Sequence, residues 1–155
     1  MEIAYYASPV GIIEIRSENE KITGLCFCDR PAEVKQPSPT LKNCISQLDE
    51  YFTGKRRAFD FPFEQTGTAF QREVWNALSE IPFGMTMSYA GIARKIGKLH
   101  SFRAVGAACG KNHLWLVVPC HRVIGSNGSL TGYAGGIDRK KWLLEHEAKS
   151  CKGIS

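Results

Sequence analysis

The chain has 155 residues, 43% of them hydrophobic, with 20 Lys and Arg against 15 Asp and Glu. That length suits one compact unit or two small packed halves; no apolar run approaches the roughly 20 residues of a membrane span, and the start Met1-Glu2-Ile3-Ala4-Tyr5 lacks the basic and apolar regions of a secretory leader. The six cysteines then read as reduced thiols of a cytosolic or nuclear protein, and the charge is uneven, a net of −2 over residues 1–65 and +7 over residues 66–155.

The first 27 residues predict a β-meander. Ile3 to Tyr6, Gly11 to Arg16 and Lys21 to Phe27 are short β-prone runs separated by Ser8-Pro9 and Glu18-Asn19-Glu20. Cys26 and Cys28 have C-x-C spacing, which is not that of a structural zinc site; on a strand they point the same way, which suits core packing. Pro31 to Pro39 is a polar loop. Thr40 to Phe52 carries Leu41, Cys44, Ile45, Leu48, Tyr51 and Phe52 at helical spacing, and Gly54 stops that helix. Lys55 to Glu64 alternates basic residues with Phe59, Phe61 and Phe63, as a strand or an extended linker.

A second unit opens at Thr68. Thr68 and Gln71 fit a capping box, and Phe70, Val74, Ala77, Leu78 and Ile81 form the apolar face of a helix ended by Pro82-Phe83-Gly84. Ser88 is placed to cap Tyr89 to Ile96, and Ser101 to cap Phe102 to Cys109, with Gly97 and Gly110 as stops; the pair reads as a helix-turn-helix. The second of these helices is rich in small residues (Ala104, Gly106, Ala107, Ala108), which fits close approach either of DNA or of another helix. Leu114 to Val118 predicts a short buried strand or extended segment, and Asp138 a cap for a last helix from Arg139 to about Lys149, anchored by Trp142, Leu143 and Leu144. The basic half fits a polyanion such as nucleic acid, although a solvated basic surface explains the charge equally well.

Chemistry concentrates in Pro119-Cys120-His121-Arg122-Val123. A thiol beside an imidazole and a guanidinium loses its proton more readily, and the thiolate is the nucleophile. An imidazole base needs a third group to orient it; Glu147 is the first candidate and Asp138 the second. On an extended chain Cys120 and His121 would face opposite ways, so the pair requires a turn after Pro119 or a bridging water. Taken alone, a cysteine after a strand is as well explained by structure, or by a cysteine hydrolase.

Pro119-Cys120-His121-Arg122-Val123-Ile124 resembles the active-site signature of the O6-alkylguanine-DNA alkyltransferases. The resemblance runs over residues 69–147 through Phe70-Gln71, Val74-Trp75, Phe83-Gly84, Ser88-Tyr89, Arg103-Ala104-Val105-Gly106, Gly110-x-Asn112, Gly132-Tyr133-x-Gly135-Gly136 and Trp142-Leu143-Leu144-x-His146-Glu147. Residues 1–65 resemble the family's variable N-terminal domain mainly through Ser8-Pro9-x-Gly11.

The resemblance implies an α/β (α+β) fold: a ribonuclease H-like N-terminal scaffold of antiparallel sheet plus helix over 1–65, then a mostly helical, winged-helix-like DNA-binding and alkyl-transfer domain over 66–155. It implies a cytoplasmic (in a eukaryote, nuclear) monomer without metal or cofactor. Such a protein binds double-stranded DNA through the minor groove, flips O6-alkylguanine (or O4-alkylthymine) out of the stack and takes its alkyl group irreversibly, once. Cys120 would be the nucleophile, His121 its base through a water, Glu147 the group orienting the imidazole, and Tyr89 a hydrogen-bond donor to the departing purine. Arg103 would fill the gap left by the flipped base. Asn112 would hold the turn before the nucleophile, and Val123 with Tyr133, Ala134 and Gly135 would line the guanine pocket. Arg122 is assigned to structure or electrostatics, and Cys109 to adventitious alkylation.

The chain departs from the family pattern in Lys98-Leu99-His100-Ser101-Phe102, which lacks the usual Pro and Ala, in His113 for Pro, and in Ala134 for a Ser of some members. The small Gly135 implies room for bulky adducts such as benzyl. Binding-only relatives carry Trp where this chain has Cys120. A cysteine hydrolase would turn over repeatedly, and a transcriptional regulator would bind DNA sequence-specifically without alkyl transfer.

Overall fold

The computed structural model describes residues 1–29, 31, 36–130 and 132–152. They divide into two compact units, the first Met1–Gln65 and the second from Thr66 onward. Most of the polar loop expected between Pro31 and Pro39 lies outside the described residues.

In the first unit β1 (Glu2–Ser8), β2 (Gly11–Glu18) and β3 (Lys21–Cys28) form an antiparallel meander in chain order. Ile13 faces Tyr6 across one ladder and Phe27 across the other. Alternation along β2 buries Ile13 and Ile15, which join Ala4, Ile22 and Leu25 in the core. Helix α1 (Pro39–Phe52) is capped by Ser38, whose hydroxyl accepts the Leu41 amide, and it contributes Leu41, Cys44, Leu48 and Tyr51. Cys26 and Cys28 are half-buried rather than in the core, because the inward positions of β3 fall on Ile22 and Leu25. Residues 55–64 form an extended segment with one parallel bridge: the Ile22 amide donates to Pro62 and the Glu64 amide to Ile22, each at 2.9 Å.

The second unit opens with α2 (Ala69–Ser79), and both halves of the Thr68–Gln71 capping box form. Then come β4 (Met87–Ser88), α3 (Tyr89–Lys95), α4 (Phe102–Gly110), a 3-10 turn over Cys120–Arg122, β5 (Val123–Ile124) and α5 (Ile137–Cys151). Val74, Trp75, Leu78, Ile92, Val105 and Leu143 pack its core. The Trp75 indole donates to the Ala108 carbonyl at 2.9 Å and ties α2 to α4. β4 pairs with β5 in parallel, Met87 with Val123 and Ser88 with Ile124, setting the start of α3 beside the nucleophile turn.

Four local expectations change. Leu114 to Val118 is a turn, closed by the Val118 amide on the Leu114 carbonyl, with Leu116 at φ 73°. Ser88 caps α3 through the Gly91 amide, but Ser101 makes no side-chain cap for α4 because its backbone is not extended there (ψ 19°). Gly110 ends inside α4 rather than after it. The cap residue of α5 is Gly136, at φ 95°; Asp138 lies within the first turn, where a carboxylate complements the helix dipole.

Candidate active site

The nucleophile turn is built by Asn112, which is buried just after α4. Its Oδ1 accepts the Leu114 amide at 3.0 Å, its carbonyl accepts the Trp115 indole at 2.9 Å, and its Nδ2 donates to the Val118 carbonyl at 2.9 Å and to Cys120 Sγ at 3.4 Å. One amide side chain thus fixes the loop and touches the thiol. Pro119 (φ −81°, ψ 67°) then reverses the chain, the Cys120 amide donating to Val118 at 2.8 Å as in an inverse γ-turn. Cys120 and His121 therefore sit on a tight turn, not on the extended chain that would set them on opposite sides.

His121 is completely buried, and its Nε2 lies 2.6 Å from Glu147 Oε2. Glu147 also accepts Arg122 Nε at 2.8 Å, Arg122 Nη2 at 3.1 Å and the Gly84 amide at 3.2 Å. Arg122 Nη1 donates to the Ile81 carbonyl at 2.8 Å. Burial alone would raise the Glu147 pKa, but His121 and Arg122 hold it well below the usual carboxylate range. Burial lowers the His121 pKa, against the pull of Glu147, so the resting imidazole is neutral. A carboxylate only accepts, so Nε2 carries the proton and Nδ1 keeps a free lone pair. Nδ1 has no hydrogen-bond partner among the described residues. An oriented neutral base on the turn of a cysteine is the arrangement that nucleophile activation requires.

Burial raises the Cys120 pKa; the Asn112 hydrogen bond and the charge of Lys140 oppose it. Lys140 is fully buried on α5 and holds its ammonium 6.0 Å from the Tyr89 ring centroid. Sequence reasoning missed it. The available signal was the spacing of Lys140, Leu143 and Glu147, which lines them along one face of a helix. The role of Gly84 is likewise visible only in three dimensions: its φ is 82°, its amide donates to Glu147, and any side chain there would run into Cys151 Sγ. Burial and Cys120 push the Cys109 thiol to about 12, which keeps it protonated and a poor acceptor for alkyl groups.

Around this centre, Tyr89 is half-buried between α4 and the loop before α5. A methyl built on Gly132 would lie 3.2 Å from its hydroxyl, and one on Gly106 would lie 3.9 Å from its ring. Burial, then Cys109 and Cys120, raise its pKa, which keeps it a donor. Tyr133 is buried beside Trp115, ring centroids 5.8 Å apart, and its hydroxyl has no hydrogen-bond partner among the described residues. Val123 and Gly135 are buried; Ala134 is exposed. Arg103 is exposed at the start of α4, apart from the His121–Glu147 network, with its guanidinium 5.9 Å from the Phe102 ring centroid. Among the described residues no group of three or more His, Cys, Asp or Glu could hold a metal ion, and no helix is long and apolar enough to cross a membrane.

Two family models match the chain. A 6-O-methylguanine DNA methyltransferase ribonuclease-like domain covers residues 1–65, and the DNA-binding domain of the same enzymes covers 69–149. A methylated-DNA–protein-cysteine methyltransferase of Methanosarcina acetivorans is 41% identical over 97% of this chain and 100% of its own length. The inducible methylated-DNA–protein-cysteine methyltransferase of Bacillus subtilis is 44% identical over 94% of this chain and 84% of its own length. Among solved structures, Mycobacterium tuberculosis OGT in complex with DNA is similar at TM-score 0.88 and 40% identity, over 97% of this chain and 94% of the other.

Proposed function

The chain belongs to the 6-O-methylguanine DNA methyltransferase family, and it repairs O6-methylguanine in DNA by moving the methyl group to a protein cysteine; we propose that Cys120 is that cysteine and that it is used once. The observation that carries this is the His121–Glu147 contact at 2.6 Å, which leaves the imidazole neutral with Nδ1 free on the turn that holds Cys120.

The chemistry follows from these groups. An O6-alkyl carbon is saturated and its leaving group is poor, so the reaction needs both a thiolate and protonation of the departing guanine. His121 Nδ1 takes the Cys120 proton, through a water, and the buried Glu147 carboxylate stabilises the imidazolium that results. Sγ attacks the methyl carbon; the C–O bond breaks, and its electron pair moves into the purine ring. Tyr89 donates a hydrogen bond to that ring as charge develops, and the proton first held by His121 ends on guanine. The net change is one S–C bond made, one O–C bond broken and one proton moved from sulfur to base. Nothing in the turn regenerates the thiol, because a thioether is a stable product.

The Tyr133 hydroxyl, buried and without a partner among the described residues, is a group that a bound base can satisfy, and the smallness of Gly135 leaves room for bulky O6-alkyl groups. Ala134 lies at the rim. Asn112 keeps the turn and polarises the thiol. Arg103, exposed on α4, enters the minor groove of duplex DNA and occupies the place of the flipped base. The first unit, 1–65, is the scaffold and the second, from 66, carries DNA binding and transfer. The protein works as a monomer in the cytoplasm, or in a nucleus, where thiols stay reduced.

Intact-mass spectrometry after incubation with duplex O6-methylguanine DNA tests this. One methyl group is expected on the wild-type chain and none on Cys120→Ala. Repeated turnover without a mass change would support a hydrolase instead and sink the assignment.

A further inference from the structure

The start of α4 exposes two large apolar side chains that its packing does not explain. The helix buries Val105, Ala108 and Cys109 inward. Leu99, in the turn before it, is 60% exposed, and Phe102, its first residue, is 48% exposed. The two stand three positions apart in the chain, and exposed apolar groups gathered into a patch mark interaction sites. Their neighbours select the partner. Lys98, His100 and Arg103 flank them, and Lys98 also reaches Glu73 of α2 at 3.1 Å. Beyond Arg103 the outer face of the helix is Ala104 and Ala107, both exposed and both small. Apolar side chains framed by cations, on a helix slim enough for a groove, match the chemistry of a DNA minor groove. There, cations meet phosphates while apolar wedges meet sugar faces and base edges.

We propose that Leu99 and Phe102 form an apolar wedge that packs into the minor groove next to the vacated base position, with the Phe102 ring carrying the Arg103 guanidinium into the gap. The inference rests on the reading that α4 enters the minor groove of duplex DNA. The Arg103 guanidinium lies 5.9 Å from the Phe102 ring centroid, within reach of a cation–π contact. The wedge occupies the segment Lys98 to Phe102, where the chain lacks the Pro and Ala usual in the family pattern.

Single-turnover transfer is measured for Phe102→Ala, Phe102→Trp, Leu99→Ala and Arg103→Ala, on an O6-methylguanine duplex and on the same oligonucleotide as a single strand. Binding to the duplex is measured against salt. For Phe102→Ala the duplex rate falls about tenfold, the size of one lost base–aromatic contact, while the single-strand rate is unchanged. Its salt slope is also unchanged, since no phosphate contact is lost. Phe102→Trp keeps the duplex rate, and Leu99→Ala loses part of it. A wild-type duplex rate in Phe102→Ala beside a slow Arg103→Ala overturns the wedge and leaves the helix reading intact. Wild-type rates in both overturn that reading and the wedge with it. Equal loss on single strand and duplex overturns the wedge by showing a defect of fold.

Discussion

At the scale of single residues, two cations, a neutral imidazole and one carboxylate set the acid–base state of the site. Glu147 is shared by His121 and Arg122, and a buried charge of either sign is tolerated only with such partners. Arg122 therefore keeps Glu147 ionised, and Glu147 keeps His121 in one tautomer. Lys140 acts on the thiol instead. Burial raises the Cys120 pKa and Lys140 opposes it, so the positive charge moves thiolate formation to lower pH. The sign of a test follows. Lys140→Met keeps the apolar stem and removes the charge, so the thiol pKa rises and the pH–rate profile for transfer moves to higher pH. One pKa unit of lost support lowers the rate about tenfold at neutral pH, and raising the pH recovers it. A lower rate with an unmoved profile would make Lys140 a packing residue only. Because the ammonium is fully buried, removing it is not expected to destabilise the fold.

At the scale of elements, local rules go furthest where one short segment decides the outcome. The meander, α1 with its 3.6-residue spacing, the Thr68–Gln71 capping box and the Ser88 cap were legible because each is fixed by neighbours in the chain. Cys120, His121 and Glu147 were legible through the family's motif order. What escaped was non-local. The parallel pairing of Met87 with Val123 joins segments with no alternating pattern, and the turn at Leu114 to Val118 reads as apolar strand because Asn112, not a ladder, satisfies its backbone. Ser101 fails as a cap for want of an extended backbone, which composition does not reveal. The small residues of α4 also divide: Gly106 lies toward Tyr89, whereas Ala104 and Ala107 are on the exposed face. Trp75 makes this helix a fixed platform by its bond to Ala108. Trp75→Phe removes one of two hydrogen bonds to that carbonyl, the Lys111 amide keeping the other at 3.1 Å, and is expected to cost about 1 kcal/mol in denaturant unfolding. An unchanged midpoint would mean that the Lys111 amide alone satisfies the carbonyl.

At the scale of the molecule, the site is built for a thiol and not for its product. Cys120 is 7% exposed, Pro119, Val118 and Val123 are buried beside it in sequence or on the adjoining strand, and its sulfur takes a hydrogen bond from Asn112. A methyl group on Sγ adds volume beside these buried side chains, and overpacking of that kind costs about 1–3 kcal/mol. It also replaces a thiol or thiolate by a thioether, a weaker acceptor for the Asn112 amide. Asn112 holds the whole turn from Leu114 to Val118, so strain at sulfur is felt at the end of α4 as well. For a chain of 155 residues each kcal/mol is about 2–4 °C of Tm. Calorimetry of the protein before and after reaction with O6-methylguanine duplex, the DNA then removed, is expected to show Tm lower by several degrees in the methylated form. The drop should be absent in Cys120→Ala carried through the same treatment. An unchanged or higher Tm would mean that the pocket accepts the alkyl group without strain. A protein that reacts once never has to return to its starting state, so packing the thiol tightly carries no penalty in turnover. The same packing that orients the reagent then marks the spent molecule by loosening it.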